Sequence, residues 1–272
     1  MYHRRRADRF RDRYGEWALV AGGSAGLGLA FATQAAARGL HLLLVARRPG
    51  PLDVIARQLR HQYGVQVRTL AADLAQEQTV LGQLPAATDG LDVGLVVANA
   101  AYAPVGPFLA LDAAAAVRVL TVNCQAPVLL AQRYLPAMVA RGRGGFVLVS
   151  SAAGLQGLPG VAQYAATKAF GRVLAEGLWA ELRPHGVDVI ACVAGAVRTP
   201  GFDRSGMSGA PGMLPPDRVV AETYAALGRV PALVPGRFMR VATRALGLLP
   251  RSTAVTVMQR ASRDLQPHPP DG

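Results

Sequence analysis

Apolar runs of strand length alternate regularly with longer helical stretches, and this alternation restricts the fold more than any other feature. Strands are predicted at 17–21, 41–46, 65–70, 91–98, 145–150 and 187–193, with 232–234 as a candidate seventh. Helices are predicted between them at 26–38, 52–63, 75–84, 112–140, 161–183 and 216–228. Several strand runs, such as 42–45 and 146–149, are apolar throughout rather than alternating, which indicates burial on both faces. We therefore expect an α/β fold with a doubly wound parallel sheet of about seven strands and helices on both faces.

The composition is compatible with one packed domain in a reducing compartment. The chain has 272 residues, 51% of them hydrophobic, and only two cysteines. Cys124 and Cys192 lie in apolar runs far apart, so we expect buried thiols rather than a disulfide or a metal site. Neither a secretory signal nor an uninterrupted run of about 18 apolar residues is visible. A cytoplasmic location is predicted, with no metal.

The formal charge of +12 raises the question of a nucleic-acid or membrane partner. Most arginines are scattered, and no zinc-finger, RNP-type or basic-zipper pattern is visible, so nucleic acid is not expected. Arginines do cluster in a leader, 1–13, and in a C-terminal extension, 236–272, which flank a domain at 14–235. In the extension, arginines recur at helical spacing among apolar residues, at Arg237, Arg240, Arg244 and Arg251. The extension is predicted either to rest on an anionic membrane or to pack against the core or a second subunit.

A glycine-rich turn follows the first predicted strand and opens a helix. Its small residues let the backbone approach a phosphate, and the helix N-terminus supplies N–H donors. The turn spans 21–28 and contains Gly22, Ser24, Gly26, Leu27 and Gly28. The spacing differs from G-x-G-x-x-G, so a plain tight turn remains an alternative. Its place after strand one nevertheless favours the dinucleotide site of a Rossmann-type sheet.

Arg47 and Arg48 follow the second strand, where an NAD site usually carries a carboxylate for the ribose. Two guanidinium groups suit a 2′-phosphate instead, although a solvated loop is the simpler alternative. NADP(H) is therefore predicted in preference to NAD(H).

Positive charge is supplied almost entirely by arginine, with 28 arginines and a single lysine. That lysine, Lys168, lies four residues after Tyr164, so a helix places both side chains on one face. Lysine, unlike arginine, is able to lose a proton. Codon preference explains the arginines but not the position of the lysine.

Together these motifs resemble those of the short-chain dehydrogenase/reductase family, over roughly residues 14–235. The glycines at 22, 26 and 28 match the family's cofactor turn, and Tyr164-x-x-x-Lys168 matches its active-site pair. Further matches, in order, are Asp73-Leu74, Asn99, Asn123, Ser151 thirteen residues before Tyr164, and Val197 with Thr199. The chain departs from the family pattern at Ala21, Ala98, Ala101 and Ala194.

The resemblance implies interconversion of a ketone or aldehyde and an alcohol by hydride transfer. Tyr164 is then the acid/base, and its pKa is expected to be lowered by the Lys168 ammonium and the oxidised cofactor. Lys168 would also bind the nicotinamide ribose, Ser151 the substrate oxygen, and Asn123 would support a water linking Lys168 to solvent. The remaining cofactor contacts are assigned to Asp73, Leu74, Asn99, Val197 and Thr199. The family commonly forms homodimers or homotetramers through the helices at 112–140 and 161–183.

The segments expected around the substrate are parts of 101–108, 152–160 and a lid at 200–216. Their apolar residues predict a hydrophobic substrate; they include Leu155, Leu158, Val161, Phe202, Met207 and Met213. Two rival functions remain open. One is a non-catalytic NADP-binding sensor with a basic interaction surface, and the other is an epimerase or dehydratase of nucleotide-sugars.

Overall fold

Seven parallel strands form one sheet in the computed structural model, which describes residues 10–198 and 212–261. The strands are β1 (Trp17–Ala21), β2 (His41–Ala46), β3 (Val67–Ala71), β4 (Val93–Ala98), β5 (Gly144–Ser151), β6 (Val187–Ala194) and β7 (Ala232–Leu233). Their order is β3-β2-β1-β4-β5-β6-β7. The chain therefore winds outward from β1 to one edge, returns to β4, and continues to the other edge. A crevice at the carboxyl ends of β1 and β4 follows from this reversal.

Helices connect the strands on both sides of the sheet. They are α1 (Gly26–Ala36), α2 (Pro49–Tyr63), α3 (Leu84–Ala87), α4 (Ala113–Leu120), α5 (Ala126–Arg141), α6 (Ala162–Leu182), α7 (Pro216–Ala226), α8 (Arg237–Gly247) and α9 (Arg251–Ala261). This architecture confirms the predicted doubly wound α/β fold with seven strands.

The continuous apolarity of the strands is explained by two separate cores, one on each face of the sheet. On β1, Ala18 and Val20 pack into one core, and Leu19 and Ala21 pack into the other. All four are at most 1% exposed. On β1, burial of both faces favours apolar residues at successive positions, hence the absence of alternation there. Both cysteines are free thiols, and Cys192 is buried.

Two of the predicted helices begin or continue differently in the structure. The helix predicted at 75–84 starts with a π-helical turn at Thr79–Gln83 and runs on as α3. The helix predicted at 112–140 is α4 and α5 joined by a second π-helical turn, Thr121–Gln125. By length and composition alone the continuous stretch Ala113–Arg141 passes as a membrane span. Its inner face, with Leu130 and Met138, is packed in the core.

Part of the predicted basic leader belongs to the packed domain. Residues 10–14 are helical, and residues 1–9 lie outside the described part. Arg13 donates two hydrogen bonds to the Asp188 carboxylate at the start of β6, at 2.7 and 2.9 Å, and the Tyr14 hydroxyl donates a third at 2.9 Å. Asp188 is 6% exposed, so these contacts satisfy a carboxylate that would otherwise be buried unpaired.

The C-terminal extension folds back onto the domain as α8 and α9. Arg240 of α8 forms an ion pair with Glu222 of α7 at 2.9 Å, and Arg251 at the start of α9 donates to the Leu155 carbonyl at 3.0 Å. The extension therefore packs against the core, one of the two arrangements left open by the sequence. Its outward face remains apolar, with Val241 67% and Leu248 87% exposed.

Candidate active site

Two adjoining cavities, each of about 340 Å³, occupy the crevice at the carboxyl ends of the strands. The first is lined by the glycine turn, the end of β2 and the segment after β3. The second is lined by the start of α1, the end of β5, α6 and the segment after β6. Asn99 and Ala101 line both cavities, which therefore form one continuous groove.

The glycine turn is held in a conformation that other residues rarely adopt. Gly22 has a φ of +83° and Gly26 a φ of +55°. Gly28 packs beneath the turn, because a Cβ built on it would lie 2.0 Å from the Gly22 carbonyl oxygen. Gly22 and Ser24 line the first cavity, and Gly26 and Leu27 line the second. Gly28 lines neither cavity, so its part in the predicted site is close packing of helix against turn.

Asn99 connects this turn to the end of β4 through two hydrogen bonds. Its Nδ2 donates to the Gly22 carbonyl at 3.0 Å, and its backbone N–H donates to the Ala21 carbonyl at 3.1 Å. Helix α1 begins just beyond the turn, and Ala25 before it offers no side-chain cap. The first-turn N–H groups of α1 are therefore not taken by a capping side chain, as an anion site requires.

Arg47 and Arg48 line the first cavity together with Asp73 and Leu74. Both arginines are exposed. Arg118 of α4 contributes a further guanidinium, which donates to the Asp73 carboxylate at 2.6 Å. Burial raises the pKa of Asp73, but hydrogen bonds from the Ala75 N–H and from Arg118 outweigh burial and hold that pKa below its ordinary value.

Arg118 and Tyr102 both line the first cavity but were missed by sequence reasoning. The Arg118 guanidinium lies 5.5 Å from the centre of the Tyr102 ring. No sequence signal links Arg118 to Asp73, because the two residues are 45 positions apart and meet only through the sheet. The family motifs offered no signal either, since they do not include this position.

Ser150 and Ser151 end β5 but face different surroundings. Ser150 is 2% exposed, and its hydroxyl donates to the Lys168 carbonyl at 2.7 Å. Ser151 is only partly buried and begins a short 3₁₀ turn in which its Oγ accepts from the Ala153 N–H at 3.2 Å. Both serines line the second cavity, but only Ser151 is partly exposed there, next to Tyr164, and its catalytic role remains a prediction.

Lys168 is buried beside the phenol of Tyr164 on α6. It is 6% exposed, and its Nζ donates to the Val149 carbonyl at 2.8 Å. The Nζ also lies 5.5 Å from the centre of the Tyr164 ring. Burial disfavours the ammonium and lowers the pKa of Lys168 to about 8. A lysine with this pKa exchanges its proton near neutral pH, which no arginine does.

The pKa of Tyr164 differs from the sequence-based expectation. Burial raises it above its ordinary value of 10.0, and the nearby Ser151 hydroxyl lowers it only in part. The expected lowering by Lys168 is not found within the protein alone, because desolvation of the phenol is the larger effect and the ammonium is itself disfavoured by burial.

Asn123 lies in the π-helical turn between α4 and α5 and is 4% exposed. Its Oδ1 accepts from the Tyr102 N–H at 2.8 Å, and its Nδ2 donates to the Tyr102 carbonyl at 2.9 Å and to the Thr167 hydroxyl at 3.0 Å. The side chain therefore ties the loop after β4 to α6, next to Lys168. Its predicted support of a water remains a prediction.

Tyr164 also lines a smaller cavity of about 90 Å³. Its lining is mainly apolar and includes Val105, Phe108, Leu111 and Val161. Val197 lines the second cavity, and its backbone pairs with Leu214. Thr199 and residues 200–211 of the predicted lid lie outside the described residues. Within the described ranges no group of three His, Cys, Asp or Glu side chains is placed to hold a metal ion.

The groove fits a nicotinamide dinucleotide. The uncapped N-terminus of α1 and the glycine turn suit a pyrophosphate, and Arg47 and Arg48 suit a phosphate at the adenosine end. Ser151, Tyr164 and Lys168 line the opposite end, beside Gly195.

Comparison with known proteins identifies relatives of this chain. The short chain dehydrogenase family profile matches residues 16–207. A 7beta-hydroxysteroid dehydrogenase from Clostridium sardiniense is 34% identical over 191 residues, which cover 70% of this chain and 73% of that protein. A very-long-chain 3-oxoacyl-CoA reductase from Phaeosphaeria nodorum is 34% identical over 222 residues, which cover 79% of this chain but only 64% of that protein.

Solved structures extend the similarity to the whole fold. A 7beta-hydroxysteroid dehydrogenase structure superimposes with a TM-score of 0.86 at 28% identity and covers 91% of this chain and 98% of its own. A short-chain dehydrogenase from Sphingobium yanoikuyae in complex with NADPH has a TM-score of 0.76 at 33% identity, over 85% of this chain and 91% of its own. This chain belongs to the short-chain dehydrogenase family and is an NAD(P)-dependent oxidoreductase of carbonyl or alcohol compounds.

Proposed function

We propose that the protein interconverts a hydrophobic ketone or aldehyde and its alcohol, with NADP(H) as cofactor and Tyr164 as the acid/base. The observation that carries this proposal is the shared cavity of Ser151, Tyr164 and Lys168 at one end of a groove whose other end holds Arg47 and Arg48. A bound nicotinamide cofactor would supply or accept the hydride.

The three polar side chains have complementary tasks in carbonyl reduction. Ser151 donates a hydrogen bond to the carbonyl oxygen and stabilises the negative charge that develops on it. Tyr164 donates its proton to that oxygen, and a raised pKa keeps the phenol protonated before reduction. Lys168, with a pKa of about 8, holds the proton that restores the phenol. Asn123 fixes the loop and helix that position Lys168.

Preference for NADP(H) over NAD(H) rests on the two exposed guanidinium groups at the end of β2 and on the lack of a carboxylate there. Arg47→Ala is expected to weaken NADPH binding much more than NADH binding. Equal losses for the two cofactors in fluorescence titrations would reject the 2′-phosphate site.

A hydrophobic substrate is supported by the apolar wall beside Tyr164. Phe108 of this wall is 62% exposed and is free to contact a ligand. Hydroxysteroids and very-long-chain 3-oxoacyl-CoA compounds belong in the substrate panel, because the two relatives above are named for activity on such molecules.

Self-association is proposed through the exposed apolar face of α4 and α6. Four apolar side chains of this face are 41–62% exposed, namely Val117, Leu120, Phe170 and Val173. An apolar depression of about 360 Å³ is lined by Val117, Leu120 and Phe170. Val173→Arg is expected to shift the protein from dimer or tetramer to monomer in light-scattering measurements.

Peripheral contact with an anionic membrane, through the outward face of α8, also remains a proposal, as does a cytoplasmic location. Phe238 is 58% and Val241 67% exposed on that face. The full chain is expected to sediment with anionic liposomes, and Val241→Asp to reduce this. No difference between the two proteins would remove the membrane contact.

The decisive experiment follows NADPH absorbance across a panel of hydrophobic ketones, aldehydes and 3-oxoacyl compounds. Wild-type turnover is expected to fall by at least about 100-fold in Tyr164→Phe, because general acid catalysis is lost while NADPH binding persists. Lys168→Arg is expected to fold but to lose nearly all turnover. Cofactor binding without turnover on any compound would favour the NADP-sensor function instead.

A further inference from the structure

A further cavity, of about 260 Å³, lies between the C-terminal extension and the segment that follows Ser151. Helices α8 and α9 form one wall, and Gln156 with Arg172 of α6 forms the other. The cavity shares no lining residue with the cofactor groove. It is therefore a separate depression, and the catalytic scheme above leaves it unused.

The charged groups at this cavity are predominantly basic. Arg172, Arg244 and Arg251 line it, and the neighbouring carboxylate is that of Glu176, which pairs with Arg172 at 3.1 Å. Among the described residues, neither Arg244 nor Arg251 forms an ion pair. Within the part of the chain that the structure describes, two guanidinium charges thus remain without a compensating carboxylate.

Two buried N–H donors at the same cavity lack acceptors. Gln156 is only 5% exposed, yet within residues 10–198 and 212–261 its Nε2 finds no hydrogen-bond partner, and neither does the Nε of Arg172. A buried donor left unpaired costs about 1–3 kcal/mol, so native proteins rarely retain one without a reason. Both residues line the cavity, so a side-chain rotation that exposes the two donors would let an acceptor bound there satisfy them.

The cavity lies close to the reacting end of the groove. Met239 of α8 packs against Gly195, where a Cβ on the glycine would lie 3.1 Å from the methionine Cε. Arg244 follows five residues later on the same helix, about 8 Å along its axis. Gln156 likewise follows Ser151 by five residues. Each wall of the cavity is thus joined to the reacting end of the groove by a short stretch of chain.

We propose that this cavity binds an oxyanion, a carboxylate or phosphate, carried by the substrate at the end remote from its reacting carbonyl. The donors are side-chain amide and guanidinium groups, which suit planar carboxylates and phosphates. This inference rests on the proposed function, since it assigns the distal group of that function's substrate.

The first experiment measures the site without turnover. Inorganic phosphate is titrated by calorimetry at constant ionic strength into the full chain saturated with NADPH, so that the cofactor's own phosphates occupy the groove. The Arg244→Gln/Arg251→Gln variant is expected to raise the phosphate Kd by about tenfold or more. Arg237→Gln, which removes an exposed charge from the same helix away from the cavity, should leave that Kd unchanged.

The second experiment identifies the source of the anion. A hydrophobic oxo acid and its methyl ester are compared as substrates of both proteins. The double variant is expected to raise KM for the acid by about tenfold and to leave KM for the ester, and both kcat values, unchanged. Weakened phosphate binding with equal KM values would overturn the substrate assignment in favour of free phosphate.

Gln156→Met distinguishes loss of the binding site from misfolding, because the two have opposite effects on thermal stability. Removing an unpaired buried amide is expected to keep or increase thermal stability without ligand, while the stabilisation by phosphate is lost. Phosphate binding equal to wild type in both this and the double variant would overturn the site. Absence of turnover on every substrate would reject the proposed function, and the phosphate titration would still decide whether the cavity binds an oxyanion.

Discussion

Because Lys168 is buried, we expect its ammonium group to destabilise the fold at neutral pH. Its pKa is lowered from 10.5 to about 8, so the folded protein binds the proton more weakly than the unfolded chain. At about 1.4 kcal/mol for each pH unit, this difference corresponds to roughly 3 kcal/mol of stability lost at pH 7. Lys168→Met removes that cost but leaves the Val149 carbonyl without its donor, at about 1–3 kcal/mol. The variant is therefore expected to be inactive and at least as stable as wild type at pH 7.

The pH dependence separates these two contributions. Between pH 8 and 10.5 the unfolded chain keeps the proton that the folded chain has released, so wild-type stability rises with pH in this window. Urea unfolding should show the advantage of Lys168→Met over wild type shrinking by roughly 3 kcal/mol from pH 7 to pH 10.5. Arg57→Met, which replaces an exposed cation of α2, should change little over the same range.

The single lysine also allows a direct measurement of its pKa. Lysine labelled at its side chain gives one resonance in this chain, because no second lysine is present. That resonance is expected to titrate near pH 8. A midpoint at 10 or above, together with parallel stability curves for wild type and Lys168→Met, would refute the reasoning.

Three further predictions follow from the packing around the groove. Gly28→Ala is expected to lower the free energy of unfolding by about 1–3 kcal/mol and to weaken NADPH binding, since the added Cβ meets the Gly22 carbonyl; urea unfolding and fluorescence titration measure these losses. Asp188→Ala should cost about 2–4 kcal/mol in urea unfolding, because the N-terminal helical segment loses three hydrogen bonds. Arg118→Gln should raise the pKa of Asp73 and make the variant less stable than wild type at pH 7 by about 1 kcal/mol or less. This difference in the free energy of unfolding should disappear as the pH falls through the lowered pKa of Asp73 in wild type.

Two control variants in the chain test these predictions, one for the added Cβ and one for the lost ionic contacts. Gly50 has no atom within 4 Å of an added Cβ, so Gly50→Ala should not destabilise the fold. Glu16→Ala breaks an exposed ion pair with Arg11 and should cost less than about 1 kcal/mol. If the control variants lose as much free energy of unfolding as the test variants, packing and burial do not determine these losses.

Several features of the site could be predicted from the sequence because they depend on residues that are close together in the chain. The turn from Gly22 to Gly28 follows a buried strand directly, so its glycines already indicated close backbone approach. Tyr164 and Lys168 lie one helical turn apart, and the structure places both at one cavity. Such short-range geometry depends on helix and turn dimensions, which hold in any tertiary context.

Contacts between segments that are distant in the chain could not be predicted from the sequence. The pairing of Arg118 with Asp73, and the burial that shifts the pKa values of Tyr164 and Lys168, depend on which helix packs beside which strand. The sequence placed an ammonium beside a phenol and suggested a lowered phenol pKa. Desolvation, which depends on the surrounding packing, reversed that direction.

The sequence by itself determined the strand and helix order, the family and the turn that opens the groove, because apolar periodicity and glycine spacing act over a few residues. The tertiary structure alone decided that the basic extension folds back beside Gly195 and that Arg244 and Arg251 meet Gln156 across a cavity. Those residues are separated by some 90 positions, and only the folded chain brings their charges and their burial to one place.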